Sequence, residues 1–158
     1  MANTSRNIAR KALAALLQAA LEWVGKLAVT VFDHVPPKFT ASPVVCVGSL
    51  GTAPGGKGLG NQGTSKAVFR FQIMNFVAVG ESDTYTAATA DDLLDDIEAV
   101  VRGVVMANPS NAAWSIMRFA GQQTSTQAGD RTRIVPVKVA GQKYNLEVIT
   151  VDIEVYDA

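Results

Sequence analysis

Residues 50–66, LGTAPGGKGLGNQGTSK, carry two spacings that could cradle a phosphate. Gly51, Gly56 and Lys57 follow G-x-x-x-x-G-K-[ST]. In that loop glycine N–H groups wrap the phosphates, lysine reaches the terminal oxygens and a hydroxyl holds magnesium. Gly58, Gly60 and Gly63 complete G-x-G-x-x-G, the dinucleotide fingerprint. Both need a helix directly after the loop, because the phosphate sits on the helix N-terminus. After Gly63 the chain continues TSKAVFRFQIMNF, which alternates as a strand. Gly58 also stands where the magnesium-binding Ser or Thr belongs. An acidic partner for a ribose could be Glu81 or Asp83, but neither lies in a helix–strand context. The stretch therefore reads as a glycine-rich connection between two strands, in which glycine keeps many conformations open.

The other chemistry-bearing residues are sparse. His34 is the single histidine, so neither a Ser-His-Asp triad nor a histidine metal cage has a second member to build on. Asp91, Asp92, Asp95 and Asp96 lack the spacing of a calcium loop and sit in a helical pattern, where they read as a solvated acidic face. Cys46 is the single cysteine, which excludes an intramolecular disulfide. It lies in PVVCVG, a buried strand pattern, and reads as a small core hydrophobe. Trp23 and Trp114 read as core anchors. No catalytic, cofactor-binding or metal-binding residues are assigned.

The elements that position these residues emerge from periodicity. Leu13, Leu17, Leu21, Val24 and Leu27 fall on one side of a helix from about residue 5, where Ser5 can cap, to about 26. Asn7, Lys11, Gln18, Glu22 and Lys26 fall on the other. The polar interruptions separate this helix from a signal peptide, although its early positive charge is similar. A short strand in LAVTVFDHV ends at Pro36-Pro37, and Pro43 opens a second in PVVCVGSL. In residues 66–79, Phe69, Phe71, Ile73, Val77 and Val79 share one face, interrupted by Asn75. Arg70 and Gln72 lie on the other. Thr89 can cap a second helix, with Asp91 and Asp92 in its first turn and an apolar stripe of Leu93, Ile97, Val100, Val101, Val104 and Val105. Asn108-Pro109 ends it. WSIMRFAG is a strand and QQTSTQAGD a polar loop. RTRIVPVKVAGQKYNLEVITVDIEVYDA is a long hairpin turning at AGQK, with Pro136 placing its strand at an edge or bulge.

These elements predict an α/β (α+β) fold: a mixed, mainly antiparallel sheet with an N-terminal helix and a second helix packed on it, closing with a long C-terminal β-hairpin. With 158 residues, 48% apolar and 18% charged, the chain is expected to fold as a single domain, 1–158. Fourteen basic and fourteen acidic side chains give a formal charge of +0. That removes bulk attraction to nucleic acid or an anionic membrane. No segment has the run of apolar residues that a membrane span needs.

The order and character of VFDHVPPKFTASPVVCVG, KAVFRFQIMNFVAV, TADDLLDDIEAVVRGV and NLEVITVDIEVYD resemble the tail terminator and tail-completion proteins of long-tailed bacteriophages. The resemblance spans nearly the whole chain and rests on element order rather than a signature motif. The glycine loop departs from the family plan. The resemblance implies a structural, non-enzymatic virion protein of the tail, without a cofactor and assembled in the host cytoplasm. It implies a homo-oligomeric ring, commonly of six subunits, that caps the tail tube, stops its polymerisation and offers a surface for head–tail joining. Its partners would be itself, the tail tube protein and head–tail connector proteins, with DNA only in passage through the pore. A neutral pore wall suits that passage, since a basic one would hold phosphates. Candidate assembly contacts are Gly55, Gly56, Lys57, Gly58, Arg131 and Arg133, within loops 51–64 and 122–131 and at the hairpin's start. A head–tail connector, neck or tube subunit of similar fold remains an open alternative, as does, more remotely, a nucleotide-binding enzyme.

Overall fold

The computed structural model describes residues 5–22, 29–54, 66–80, 87–122, 127–129 and 131–156. In chain order the elements are α1 (Arg6–Leu21), β1 (Thr30–Phe32), β2 (Val44–Pro54), β3 (Lys66–Ala78), α2 (Ala87–Ala107), β4 (Ile116–Phe119), β5 (Arg133–Val139) and β6 (Gln142–Tyr156). The strands form one sheet in the order β1-β2-β3-β6-β4, with β5 also paired to β6. Every pairing is antiparallel except β1 with β2. This is the mixed, mainly antiparallel α+β arrangement expected from periodicity, with its C-terminal hairpin.

β6 is the hub. β3 runs along one flank of it from Tyr144 to Tyr156. The other flank is shared end to end, β5 taking Gln142–Val148 and β4 taking Val151–Glu154. Pro136 lies within β5, which among the described residues pairs with β6 alone, so the edge position expected for it holds.

Alternation along the strands sends side chains to two faces. On the first, Phe69, Phe71, Ile73 and Val77 of β3 join Ile149, Val151, Ile153 and Val155 of β6 and Val45 and Val47 of β2. α1 covers them with Ala9, Leu13, Leu17 and Leu21, and α2 with Leu94, Ile97, Val101 and Val105. Trp114 is fully buried there, its Nε1 donating to the Asn108 carbonyl at 3.0 Å. On the second face a smaller cluster gathers Val44, Cys46, Phe76, Ala78 and Tyr144. Phe39 closes over it, with its ring centroid 4.8 Å from Phe76 and 5.4 Å, edge-on, from Tyr144.

Several local expectations are corrected. Ser5 occupies the N-cap position of α1, but its hydroxyl donates to Asn7 Oδ1 and caps no backbone N–H. The helix stops at Leu21, with Glu22 as C-cap. Gln18, on the polar side of α1, is half-buried. Its carboxamide donates to the Val29 carbonyl at 3.2 Å and accepts from the Val31 N–H at 3.1 Å, tying α1 to β1. α2 begins at Ala87, so Thr89 lies inside it and Asp91 and Asp92 fall beyond its first turn. The two alanines before Thr89 are strong helix formers, and they carry the helix past the proposed cap. At its other end Asn108 Nδ2 donates to the Val104 carbonyl at 2.9 Å, satisfying a terminal carbonyl where the helix was expected to stop. Residues 51–54 belong to strand β2, not to a loop. They pair with β3 down to Pro54 opposite Ala67, after a bulge between Ser49 and Gly51. Trp23 and Lys26 lie outside the described residues.

Candidate assembly surfaces

The glycine-rich connection joins β2 to β3, which run antiparallel. The element after it is a 13-residue strand, not a helix. The helix N-terminus that either phosphate cradle requires is therefore replaced by a sheet ladder. Gly55, Gly56, Lys57 and Gly58 themselves lie outside the described residues. Arg131 is exposed just before β5, and Arg133 is the exposed first residue of β5, opposite Val148. Val148 in turn faces Met74, whereas the glycine connection leaves β2 opposite Ala67. Seven residues of strand separate those two positions, about 24 Å. The structure thus does not bring the base of the glycine connection and the two arginines to one place.

The second face of the sheet carries a charged block that periodicity alone did not assemble. Arg70, Asp152 and Arg118 stand in register on β3, β6 and β4. Arg70 grips Asp152 with two hydrogen bonds, Nε to Oδ1 at 2.8 Å and Nη2 to Oδ2 at 3.0 Å. Arg118 Nη2 donates to Glu154 Oε1 at 2.5 Å. Both carboxylates are buried, Glu154 to 3% exposure. Two guanidinium groups neutralise two carboxylates, so the block carries no net charge. Arg118–Glu154 is the more buried pair, and removing one partner of a buried pair typically costs about 3–5 kcal/mol, whereas Arg70 is half-exposed and its pair is weakened by solvent. The sequence signal was present: Asp152 and Glu154 on one side of β6, and Arg70 on the polar side of β3. What it lacked was the register that sets them opposite each other.

The first face has its own polar site. Asn75 of β3 stands directly opposite Glu147 of β6. Asn75 is fully buried, and neither its Oδ1 nor its Nδ2 has a hydrogen-bond partner among the described residues. Glu147 is 5% exposed. Its Oε2 accepts from Thr132 Oγ1 at 2.8 Å, and its Oε1 has no partner among the described residues. Burial pushes the Glu147 carboxyl above its ordinary pKa, and the nearby Glu98 and Asp95 carboxylates push it the same way. The hydrogen bond from Thr132 and the charge of Arg102 oppose them.

The other candidates divide between exposed and buried positions. His34 is exposed, its Nδ1 2.9 Å from Asp33 Oδ1, and that hydrogen bond holds the Asp33 carboxyl below its ordinary pKa. Asp91, Asp92, Asp95 and Asp96 are all exposed on α2. Cys46 is fully buried, and burial pushes its thiol up to about 12. Among the described residues no group of three or more His, Cys, Asp or Glu side chains could hold a metal ion. No described helix is long and apolar enough to cross a membrane.

No protein-family model matches this sequence, and no curated protein matches it significantly. The fold is similar to that of a chain in a solved structure of the virion of a native gene transfer agent particle. The TM-score is 0.52 at 17% sequence identity, covering 94% of this chain and 93% of that one. At that identity the likeness is one of fold, and it runs through nearly the full length of both chains.

Proposed function

We propose that this chain is a structural virion subunit of the tail-completion kind, acting as one domain. Copies form a ring that caps a phage-like tail tube, ends its polymerisation and presents the opposite surface for head–tail joining. The observation that carries this reading is the fold shared, over 94% of the chain, with a component of a gene transfer agent virion. The composition accords with it, since a net charge of +0 suits a pore through which DNA must slide. The sheet accords with it too, because among the described residues its two flanks end in strands with open outer edges, the kind of surface through which copies associate.

The test is electron microscopy of the purified protein combined with its solution mass. Rings with a central hole and a mass several times 16.7 kDa support the reading. A monodisperse monomer at every concentration overturns it. Loss of the gene in a producing phage-like element then separates the roles. Overlong tails identify a terminator, whereas tails of normal length without heads identify a connector.

A further inference from the structure

The two flanks of the sheet are unlike in charge. α1 packs over β1 and β2, and α2 over β3, β6 and β4. Within its helical residues α1 carries Arg6, Arg10 and Lys11 and no acid, while α2 carries five acids, from Asp91 to Glu98, against Arg102 alone. Arg6 and Arg10 do not turn toward α2. They reach across the sheet's first face to the outer strand β2, Arg6 Nη1 donating to Thr52 Oγ1 at 3.0 Å and Arg10 Nη1 to Ser49 Oγ at 3.1 Å. Arg10 Nε has no partner among the described residues. β1 pairs only Val44–Cys46, so the outer side of β2 from Val47 onward has no strand on it among the described residues. Leu50, in the bulge there, is half-exposed.

The opposite flank reverses each of these features. Asp91 accepts a hydrogen bond from Asn145 of β6 at 3.4 Å. Asp95 and Glu98 lie near enough to Glu147 to disfavour its charge. Glu98 is paired with Arg102 at 2.7 Å, but Asp91, Asp95 and Glu147 have no ion-pair partner among the described residues. Ile134 of the edge strand β5 sits directly opposite Glu147 and is 45% exposed. Lys138 and Lys143 lie beyond the acids, toward the hairpin turn, and Arg133 projects to the other face of the sheet. This flank thus offers unmatched carboxylates beside an exposed apolar side chain, where the β2 flank offers guanidinium groups beside another.

We propose that copies of this chain join head to tail through these two flanks, Arg6 and Arg10 of one copy seating against the exposed Asp91 and Asp95 of the next, with Leu50 beside Ile134. The inference rests on the ring reading and specifies its interface. Two copies of either flank repel each other, so the contact cannot be isologous. A heterologous contact between unlike patches either closes as a ring or continues as a filament. Charge complementarity also fixes the register of the contact and suppresses the like-with-like alternative.

The test is charge exchange in the full chain. Arg6→Glu and Asp95→Arg are made separately and together, and assembly is followed by sedimentation against protein concentration. Each single reversal should raise the concentration for half-assembly by at least about tenfold. The double variant should return toward wild type, because the exchanged charges again face each other. Arg6→Gln and Asp95→Asn, which add no repulsion, should give smaller shifts in the same direction and carry the test if a reversal fails to fold. If the wild type assembles and no variant shifts its midpoint, the interface is wrong and the ring reading stands. If the wild type is a monomer throughout, the ring reading falls and the interface with it.

Discussion

Asn75 is the polar member of a face otherwise made of Phe69, Phe71, Ile73 and Val77, and it is fully buried. Its Nδ2 and Oδ1 are without partners among the described residues. A buried donor or acceptor left unpaired costs roughly 1–3 kcal/mol, so the carboxamide penalises the folded state twice. Valine suits a strand interior, carries no polar atom and replaces the amide with methyl groups that belong beside Ile73 and Val77. Part of the benefit is lost because Glu147, directly opposite, gains an apolar neighbour. Asn75→Val should therefore stabilise the protein by about 1–2 kcal/mol, taken from the lower end of that range. For a chain of this size that is a rise in Tm of roughly 2–8 °C. Urea unfolding followed by tryptophan fluorescence measures it directly, with an unchanged m-value expected. Asn75→Asp should do the reverse, since it sets a second carboxylate against Glu147. A loss of about 1 kcal/mol or more in Asn75→Val would show that the carboxamide is satisfied in solution and would refute the penalty assigned to it.

Glu147 gives a pH-dependent counterpart. Its folded pKa is raised, so the native state keeps a proton that the unfolded state releases as pH climbs above about 4.5. Stability is therefore lost as pH rises from the unfolded value through the raised one. The advantage of Glu147→Gln over wild type should grow across that window in denaturant midpoints measured from pH 4 to 7. A difference independent of pH contradicts this. Ala140 turns the β5–β6 hairpin at φ +50° beside Gly141 at φ +83°, the left-handed pair of a tight two-residue turn. Asn tolerates that region better than Ala, so Ala140→Asn should add about 0.5–1 kcal/mol in the same unfolding assay, and destabilisation counts against the turn. Cys46, buried and with its thiol held at about 12, should resist a thiol reagent until denaturant unfolds the chain. Stoichiometric labelling of the native protein on mixing would place it elsewhere.

Periodicity in this chain was enough to read its local geometry. The alternation of Phe69, Phe71, Ile73 and Val77 made a strand with one buried face, and the stripe from Leu93 to Val105 made a helix. Both reflect how side chains project from a regular backbone, which needs no knowledge of neighbours. For the same reason the strand after Gly63 could be read, and with it the loss of the helix that a phosphate cradle requires. Helix ends were less legible, because Ser5 and Thr89 compete with flanking residues whose propensity decides where the helix runs.

Register and strand order were decided only in three dimensions. Nothing local says that β4 and β5 share one flank of β6, or that Asp152 faces Arg70, Glu154 meets Arg118 and Asn75 faces Glu147. A slip of one residue would turn every side chain of a strand to the other face, and long-range burial alone selects among the possibilities. The candidate surfaces divide in the same way. Arg131 and Arg133 could be named from the sequence as charges near a hairpin. The opposition of a basic β2 flank and an acidic β6 flank exists only because the sheet seats α1 over β1 and β2 and α2 over β3, β6 and β4, at the two flanks of one face.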